Sequence, residues 1–340
     1  LSQQGGGFMA VRIGLNGFGR IGRLAARYLA GDEELELIAV NARGDNASLA
    51  HLLKYDSVHH TFPGQVQANE QGFLLQGKQI QVTRQGPGEW RWADLGVDLV
   101  LETTGKFTDR ESSSKHLECG AKKVLISAPG KQPDVTIVVG VNDQDLTKEH
   151  AIISNASCTT NCLAPVCMIL DQAFGLERGL MNTIHSYTMS QRILDGTHKD
   201  LRRARAAGMS MIPTTTGAAK SVGDVLPELK GKLDGMATRI PLPNVSLVDL
   251  TAELKQKAGT QDVNQALKEA SQRKLQGILG YSEEPLVSID YVGSSFAGVV
   301  DSLTTNVIED HLAKLIVWYD NEAGFTHQLL RLARKVATYI

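Results

Sequence analysis

One stretch of the chain decides the fold of its first half: Val11-Arg12-Ile13-Gly14-Leu15-Asn16-Gly17-Phe18-Gly19-Arg20-Ile21-Gly22. Residues 11–15 form an apolar run that predicts a β-strand, and the apolar spacing of residues 20–29 predicts a helix. Between them stands G-x-G-x-x-G, whose glycines let the backbone turn tightly and approach a pyrophosphate at a helix N-terminus. A tight turn that merely needs small residues is the alternative. The strand–loop–helix context favours a dinucleotide-binding site.

The sequence around this stretch alternates short apolar runs with helical patterns. Further strands are predicted at residues 35–40, 97–103, 123–127 and 135–139, and a helix at residues 111–119. Such alternation is typical of an α/β fold with a parallel, doubly wound sheet of the Rossmann type. After Ser154 the pattern changes. The later part has a helix after Cys158, predicted strands at residues 180–188, 235–240, 245–254, 286–290, 304–308 and 314–319, and a closing amphipathic helix at residues 325–339.

Composition limits the class of protein. The chain has 340 residues and a formal net charge of −2, which gives no reason to expect nucleic acid or an anionic membrane as a partner. No apolar run approaches the roughly 18 residues that a membrane-spanning helix needs. The four cysteines form no C-x-x-C pattern and no metal site is predicted. With no signal peptide evident, we expect a reducing, cytoplasmic environment. Residues 1–8 are typical of an expression remnant, with Met9 as the native start.

The end of the second predicted strand bears on cofactor choice. An NAD site usually has an Asp or Glu about 20 residues after the glycine loop, where it binds the ribose 2′-hydroxyl. Here Ala42 and Arg43 occupy that region. A missing carboxylate removes repulsion against a 2′-phosphate, and an arginine can pair with one. Arg43 as a solvated surface residue is the alternative.

A cysteine and a histidine suggest covalent catalysis. Cys158 lies where a strand meets a helix, between the hydroxyl residues Ser157 and Thr159. A cysteine at a helix N-terminus is expected to have a lowered pKa, because the helix dipole stabilises the thiolate. His185 lies on the next predicted strand and would complete a nucleophile-and-base pair. Buried structural roles for both residues are the alternatives, and Cys162 and Cys167 are predicted to be core residues.

Several long motifs resemble the phosphorylating glyceraldehyde-3-phosphate dehydrogenase family. They occur in family order from Met9 to the C-terminus. The matching motifs are Asn16 to Arg23, Lys54-Tyr55-Asp56-Ser57-Val58-His59, Ser157 to Pro165, His198-Lys199-Asp200-Leu201-Arg202-Arg203-Ala204-Arg205, Thr214 to Lys220, and Trp318-Tyr319-Asp320-Asn321-Glu322.

The resemblance implies an architecture. It predicts a dinucleotide-binding domain at residues 9–156, then an α+β catalytic domain with a mostly antiparallel sheet at residues 157–323. The last helix, residues 324–340, would return to the first domain. The family forms homotetramers, in which an arginine-rich loop lies beside the cofactor of a neighbouring subunit. The basic segment at residues 189–211 suits that loop.

The resemblance also implies a mechanism. Cys158 would attack glyceraldehyde 3-phosphate, and His185 would accept the hydroxyl proton as hydride leaves for NAD or NADP. Inorganic phosphate would then release the thioester as 1,3-bisphosphoglycerate. The residues expected to bind the substrate phosphate or the attacking phosphate are Ser157, Thr159, Thr188, Arg203, Thr216, Gly217 and Arg239. The residues expected to bind the cofactor are Asn16, Gly17, Phe18, Gly19, Arg20, Ile21, Gly22, Ala42, Arg43, Thr104, Gly105, Ser127, Gly196, Thr197 and Asn321.

Some positions depart from the family pattern. Gly196-Thr197 stands where NAD-specific members usually have Leu-Pro, which together with Ala42 predicts use of NADP at least as well as NAD, as in the NADP-using or dual-cofactor branch. Met189, His60, Ala323 and Phe325 also differ from the usual residues. Two other functions stay open at this stage. One is erythrose-4-phosphate dehydrogenase, which hydrolyses the thioester; the other is a catalytically idle, cofactor-binding scaffold.

Overall fold

A computed structural model describes residues 10–340, so the predicted remnant at residues 1–8 and the predicted start at Met9 lie outside the described residues. The chain divides into two compact units. The first comprises residues up to Thr136, Asp145–Asn155 and Leu329–Ile340; the second comprises Ile137–Gln144 and Ala156–Gln328. This division differs in detail from the boundaries at 9–156, 157–323 and 324–340, which stay a prediction.

The first unit contains an open, mostly parallel sheet. Its strands are β1 (Val11–Asn16), β2 (Leu35–Asn41), β3 (Val66–Asn69), β4 (Gly72–Leu75), β5 (Lys78–Thr83), β6 (Leu99–Glu102), β7 (Lys123–Ile126), β8 (Val135–Thr136) and β9 (Ile152–Ser154). They are ordered β3-β4-β5-β2-β1-β6-β7-β9-β8, and only the β3–β4 and β4–β5 pairs are antiparallel. Because β5, β2, β1 and β6 run parallel, their carboxyl ends lie at one edge, where such sheets bind ligands.

Helices connect these strands. They are α1 (Arg20–Leu29), α2 (Asn46–Lys54), α3 (Trp92–Leu95) and α4 (Arg110–Glu118). The helix predicted at residues 20–29 is confirmed with the same bounds. Asp45 and Asp109 cap α2 and α4, because each side chain accepts the N–H of the serine three residues later. In contrast, no side chain within residues 10–340 caps α1 at Gly19, and an uncapped helix N-terminus is a place where proteins bind anions.

The second unit contains a mixed sheet and a buried helix. Its strands are β10 (Leu176–Ser186), β11 (Ile212–Thr215), β12 (Leu233–Ile240), β13 (Ser246–Leu254), β14 (Leu279–Ser282), β15 (Gly298–Ile308) and β16 (Leu312–Tyr319). Its helices are α5 (Cys158–Phe174), α6 (Val222–Val225) and α7 (Thr260–Gln272), and α8 (Ala323–Ala337) closes the chain. Every neighbouring strand pair is antiparallel except β10–β12 and β14–β15. The predicted fold class is therefore confirmed.

Helix α5 forms the centre of the core in this unit. Its residues from Thr159 to Leu170 are all buried, including Cys162 and Cys167, which are fully buried as the sequence predicts. They pack with apolar side chains of β10, β13, β15 and β16. Burial of these aliphatic side chains fixes α5 against the sheet, since each contributes roughly 1.5–3 kcal/mol. The core thus holds the start of α5, and with it Cys158, at a fixed place.

Two predicted strands differ from the structure. Residues 286–290 were predicted to form a strand, which is wrong: Ser288–Tyr291 is a short 3₁₀-helix. The carboxylate of Asp290 accepts the N–H of Val287, and such a local bond competes with pairing in a sheet. The strand predicted at residues 135–139 ends at Thr136, because the N–H of Val138 donates to the side chain of Asn142 in a turn.

Candidate active site

Cys158 is the first residue of α5. The hydroxyl of Ser157 caps this helix by accepting the N–H of Thr160 at 3.0 Å. The backbone before it is strained, since Ala156 has a φ of 55°, in the left-handed region that non-glycine residues rarely adopt. Val245, whose carbonyl oxygen accepts the hydroxyl of Ser186, has a φ of 67°. Strain of this kind concentrates at functional sites.

The structure brings Cys158 and His185 together. The Sγ atom lies 3.5 Å from Nε2 of the imidazole, which projects from the end of β10 and is 4% exposed. On the other side of the ring, Nδ1 lies 2.7 Å from the carbonyl oxygen of Ser186 and 2.6 Å from Nη1 of Arg239. One tautomer donates from Nδ1 to that carbonyl and leaves Nε2 to accept the thiol proton; the other accepts from Arg239 and carries the proton on Nε2. The ring can therefore hold its proton on either nitrogen.

Arg239 lies beside this pair because of strand register. In the parallel pairing of β10 with β12, His185 stands opposite Arg239, so both side chains are on one face. Nη1 of Arg239 also donates to the carbonyl oxygen of Ser186 at 2.9 Å. Burial lowers the pKa of the Arg239 guanidinium, yet attraction to Cys158 acts in the opposite direction. A permanent cation thus lies next to the thiol.

The electrostatics correct one expectation. Burial raises the pKa of the Cys158 thiol, and the Arg239 charge and hydrogen bonds from Thr159 only partly offset it, so the predicted lowered pKa is wrong. Burial, followed by repulsion from Arg239, lowers the pKa of His185 to about 3. The imidazole is therefore neutral at physiological pH. A neutral base next to a thiol can accept the proton when sulphur attacks.

Tyr319, at the end of β16, connects the two sides of the site. Its hydroxyl lies 2.9 Å from Oγ1 of Thr159 and 2.8 Å from Oγ1 of Thr183. The edge of its ring packs against the His185 ring, with centroids 5.9 Å apart. Tyr319 is buried and was not predicted as a site residue, although it lies within a quoted motif. The sequence signal was its position on the strand that leads to Asn321.

Two of the predicted phosphate ligands have their hydroxyls engaged within the protein. The Thr159 hydroxyl bonds to Tyr319, and the Ser157 hydroxyl bonds to Thr160. Thr188, by contrast, is half-buried after β10, and within residues 10–340 its hydroxyl meets only that of Ser190. Gly217 is exposed, with open space where a side chain would be. The last two positions lie where an anion has access.

Asn321 lies in a rigid turn after β16. The hydroxyl of Ser246 donates to its Oδ1 at 2.8 Å, which leaves the amide nitrogen as a donor. The preceding Asp320 is buried and accepts the N–H groups of Glu322 and Ala323. A fixed amide donor suits a carboxamide oxygen, which is the role predicted for Asn321.

In the first unit, the glycine loop has the shape that a dinucleotide requires. Gly17 has a φ of 100°, and a Cβ there would lie 2.9 Å from the backbone nitrogen of Thr104. A Cβ on Gly22 would lie 2.4 Å from the carbonyl oxygen of Gly17, so only glycine lets α1 pack this close. Gly19 and Gly105 face open space instead. The residues therefore fit a pyrophosphate cradle.

A buried carboxylate, that of Glu102, is hydrogen-bonded to residues at the glycine loop. Glu102, at the end of β6, accepts the side-chain amide of Asn16 at 2.5 Å and the backbone N–H of Thr104 at 2.7 Å. The Asn16 side chain in turn accepts the amide of Asn41 at 2.8 Å. Ser127 donates its hydroxyl to the Glu102 carbonyl oxygen at 2.9 Å. These side chains connect the carboxyl ends of β6, β1 and β2 into one network.

The side chains of the loop itself are anchored within the unit. Phe18 is buried against Phe73, with ring centroids 5.7 Å apart, and Ile21 is half-buried. Arg20 forms an ion pair with Asp56. The structure therefore presents the backbone of this loop, rather than these side chains, to a ligand.

Two arginines lie near Ala42, where the cofactor ribose is predicted to bind. Ala42 is buried after β2, and Arg43 is exposed with no hydrogen-bond or ion-pair partner among residues 10–340. Arg84 follows β5 and donates to the carbonyl oxygen of Gly44 at 2.8 Å. Sequence reasoning missed Arg84, because its place depends on the pairing of β2 with β5, in which Asn41 stands opposite Thr83.

Comparisons with known proteins agree with this geometry. Residues 11–110 match the family model described as the NAD binding domain of glyceraldehyde 3-phosphate dehydrogenase, and residues 157–321 match its C-terminal domain. The chain belongs to the glyceraldehyde-3-phosphate dehydrogenase family. Glyceraldehyde-3-phosphate dehydrogenase of Geobacillus stearothermophilus is 55% identical over 332 residues, which are 97% of this chain and 99% of that protein. Glyceraldehyde-3-phosphate dehydrogenase 1 of Bacillus subtilis is 53% identical, with the same coverage.

As a glyceraldehyde-3-phosphate dehydrogenase, the chain is an oxidoreductase that uses a nicotinamide cofactor and couples oxidation of glyceraldehyde 3-phosphate to phosphorylation. Within residues 10–340, no helix has the length and apolar character needed to cross a membrane. The positions that depart from the family pattern are placed as follows. Gly196, Thr197 and Met189 are exposed, Ala323 and Phe325 are buried, and His60 has a φ of 58°, which suits the glycine usual at that position.

Proposed function

We propose that Cys158 is the nucleophile and His185 the acid–base group of this dehydrogenase, that NADP is used at least as well as NAD, and that the protein works as a cytoplasmic homotetramer. The observation that carries the catalytic part is the 3.5 Å approach of Cys158 Sγ to His185 Nε2 beside the Arg239 guanidinium. A nucleophile within reach of a base, with a cation nearby, is the geometry of thiol acyl transfer.

The steps follow from the protonation states. Sγ of Cys158 bonds to the aldehyde carbon, while its proton passes through Nε2 of His185 to the aldehyde oxygen and gives a hemithioacetal. His185 then accepts the hydroxyl proton as the C–H bond breaks. The bound nicotinamide supplies the chemistry of a hydride acceptor. The product of this step is a thioester and an imidazolium. Phosphate oxygen bonds to the thioester carbon, and the departing sulphur takes back the proton of His185.

Two arginines supply the charge that these anionic ligands need. Arg239 lies at the end of β12, close to the thiol. Burial lowers the pKa of Arg239 most, and repulsion from the nearby Arg203 lowers it further. Two guanidinium groups that repel each other are stabilised by an anion between them. Thr188 and Gly217 offer an accessible hydroxyl and an open backbone. We assign these groups to the substrate phosphate and the attacking phosphate.

Cofactor choice rests on the ribose end of the first unit. No carboxylate stands at position 42, so the usual partner of the NAD 2′-hydroxyl is missing. Arg43 follows Ala42 in the chain, and Arg84 follows Thr83, which pairs with Asn41 in the sheet. Neither arginine is paired with an acid among the described residues. Guanidinium groups bind a phosphate through two parallel hydrogen bonds. NADP is therefore favoured by the removal of repulsion and by the gain of attraction.

Assembly is supported by the loop at residues 189–211. Met189 is 90% exposed, and Ile193, Leu201 and Met209 are also largely exposed. Such an apolar surface marks a contact with another protein chain. Light scattering tests the tetramer, which has four times the 36.8 kDa mass of the chain. The four cysteines are all free, which suits the reducing cytoplasm.

One assay tests the catalytic proposal and its rivals. Cofactor reduction with glyceraldehyde 3-phosphate should depend on inorganic phosphate, and Cys158→Ala should abolish it while cofactor binding persists. Cys162→Ala is the matched control in the same helix and should retain activity. Formation of reduced cofactor without phosphate, and with erythrose 4-phosphate as the better substrate, would identify erythrose-4-phosphate dehydrogenase. No turnover with any aldehyde would identify a cofactor-binding scaffold.

A further inference from the structure

Arg203 is held by a relay of two side chains rather than by its own packing. Its Nε donates to the Thr214 hydroxyl at 2.9 Å, and that hydroxyl donates its proton to Oδ2 of Asp200 at 2.8 Å. Arg203 also lies 3.6 Å from the same carboxylate oxygen. The hydroxyl thus accepts from the cation and donates to the anion. Each bond polarises the next, and such chains hold a single orientation.

The remaining groups of the guanidinium are left for a ligand. Nη2 of Arg203 donates to the carbonyl oxygen of Thr215 at 3.3 Å, whereas no hydrogen-bond partner of Nη1 exists within residues 10–340. The Arg203 side chain is 22% exposed, so water or an anion has access to it. The relay fixes one edge of the guanidinium and leaves the other edge as a donor.

Strand register places this relay on the catalytic face. In the antiparallel pairing of β11 with β12, Ile212 stands opposite Arg239 and Thr214 stands opposite Ala237. Alternate residues of a strand share a face, so Thr214 and Arg239 project to the same side of the sheet. His185 projects to that side as well, because it stands opposite Arg239. Because Arg203 is hydrogen-bonded to Thr214, it lies on the same side of the sheet as Arg239 and His185.

Asp200 is itself fixed by the backbone. Its Oδ1 accepts the N–H of Arg202 at 2.9 Å and that of Arg203 at 3.4 Å, as in an Asx turn. The hydrogen bond from Thr214, together with these backbone bonds, lowers the pKa of the Asp200 carboxyl. The carboxylate is consequently charged at neutral pH, with Oδ1 accepting from the turn and Oδ2 accepting from Thr214.

We propose that Asp200 and Thr214 are positioning residues that orient Arg203 for phosphate binding in the dehydrogenase reaction. This inference rests on the proposed role of Arg203 in the phosphate sites. The positioning role and simple electrostatics predict opposite effects on anion binding when Asp200 loses its charge. Removing a negative charge near an anion site should strengthen anion binding, whereas loss of a positioning carboxylate should weaken it.

Asp200→Asn separates these two effects. The amide keeps an oxygen acceptor for the turn but places an N–H₂ group opposite the Thr214 hydroxyl, so the relay loses its direction. We expect the KM for inorganic phosphate to rise about three- to tenfold, the effect of losing one ordinary hydrogen bond, with little change in kcat. Asp195→Asn is the matched control, because Asp195 lies on the same loop, pairs with Arg205 at 2.9 Å and carries the same charge. Its phosphate KM should stay unchanged or fall.

A second pair of variants leaves every charge in place. Thr214→Val removes the relay hydroxyl and should raise the phosphate KM by a similar factor, while Thr214→Ser keeps the hydroxyl and should restore it. This pair still decides the matter if Asp200→Asn folds poorly. An unchanged or lower phosphate KM in Asp200→Asn, or equal KM values in the Val and Ser variants, would overturn the positioning role. Arg203→Ala distinguishes the underlying assumption: if it leaves the KM for both phosphate and glyceraldehyde 3-phosphate unaltered, the proposed role of Arg203 itself is wrong.

Discussion

Sγ of Cys158 and Nε2 of His185 lie 3.5 Å apart, although the two residues are 27 positions apart in the chain. The first is fixed by the capped start of α5 and the second by the end of β10. Because burial keeps the thiol protonated and the imidazole neutral, the pair carries no net charge before substrate arrives. Charge separation then accompanies the chemical steps, in which the neighbouring Arg239 favours negative charge on sulphur or oxygen and disfavours positive charge on the imidazole.

His185→Asn should lower kcat by about 10²–10⁴-fold, the usual contribution of a general base. Asparagine fills part of the same space but cannot accept a proton from the hemithioacetal hydroxyl. Steady-state turnover of glyceraldehyde 3-phosphate measures the effect. His311→Asn serves as the control, since the imidazole of His311 bonds only to the carbonyl oxygen of Leu254 among the described residues. Activity of His185→Asn close to that of the wild type would exclude His185 as the base.

Arg239→Gln should move the reactivity of Cys158 to higher pH. A nearby positive charge favours the thiolate and so lowers the pKa of the thiol; its removal must raise that pKa. The rate of alkylation by iodoacetamide, followed against pH, reports the thiolate fraction, and the reagent is neutral, so Arg239 does not attract it. Arg178→Gln removes an equal charge from the surface pair with Glu253 and should leave the profile unaltered. If the pH midpoint of alkylation stays in place or falls in Arg239→Gln, Arg239 does not lower the pKa of the Cys158 thiol.

Ala42→Asp should reverse the cofactor preference. A carboxylate at this position repels a 2′-phosphate and bonds a ribose hydroxyl, so kcat/KM for NADP should fall and that for NAD should rise. Calorimetric affinities for both cofactors provide a measurement independent of turnover, and Ala42→Asn controls for side-chain size. Two results would refute NADP use: a wild type that prefers NAD by tenfold or more, about 1.4 kcal/mol, or an Ala42→Asp variant with an unmoved ratio.

Asp98→Asn should destabilise the first unit in a pH-dependent way. Burial raises the pKa of Asp98, but hydrogen bonds from Arg12 and Lys122 outweigh it and hold the pKa well below the usual range. A lowered folded-state pKa contributes stability above the unfolded value of about 3.9, and this contribution is lost as the pH falls below it.

We therefore expect a lower midpoint of thermal unfolding at pH 7, from a loss of about 1–3 kcal/mol, as for hydrogen bonds to charged groups. The difference from the wild type should shrink below pH 4. Glu36→Gln breaks only the exposed pair with Lys78 and should cost less than about 1 kcal/mol. A gap between Asp98→Asn and wild type that persists at low pH would point to a packing defect instead.

Local patterns made much of the fold predictable. The apolar spacing of residues 20–29 gave the bounds of α1, and the glycine loop identified the first unit as dinucleotide-binding. The periodicity failed at residues 286–290, where a carboxylate three positions along the chain captures a backbone N–H and makes a turn. A single-residue cap of this kind leaves the apolar pattern of a strand unchanged, so the pattern alone could not reveal it.

The proposed catalytic pair could be picked out from the sequence, but the residues that support it could not. Cys158 and His185 can be recognised from their residue types and from their positions at the ends of predicted elements. Glu102 supports the glycine loop by bonding Asn16, which is 86 positions away. Tyr319 meets Thr159 across 160 positions. Contacts like these depend on which strands become neighbours and in what register, information that no local stretch of sequence contains.

Strand β16 and the turn after it hold two residues, Tyr319 and Asn321, that contact different parts of the proposed site. Tyr319 ends the strand and bonds Thr159, the neighbour of the proposed nucleophile Cys158, and Asn321, two residues later, is held by Ser246 and is predicted to bind the cofactor carboxamide. A shift of this strand by a fraction of an ångström displaces both at once. For protein engineering, we therefore expect changes near Tyr319 to affect the proposed nucleophile and the proposed cofactor contact of Asn321 together. Libraries that vary the residues around Tyr319 should be screened for substrate specificity and for cofactor binding together, because we expect selection for a new substrate to change nicotinamide binding as well.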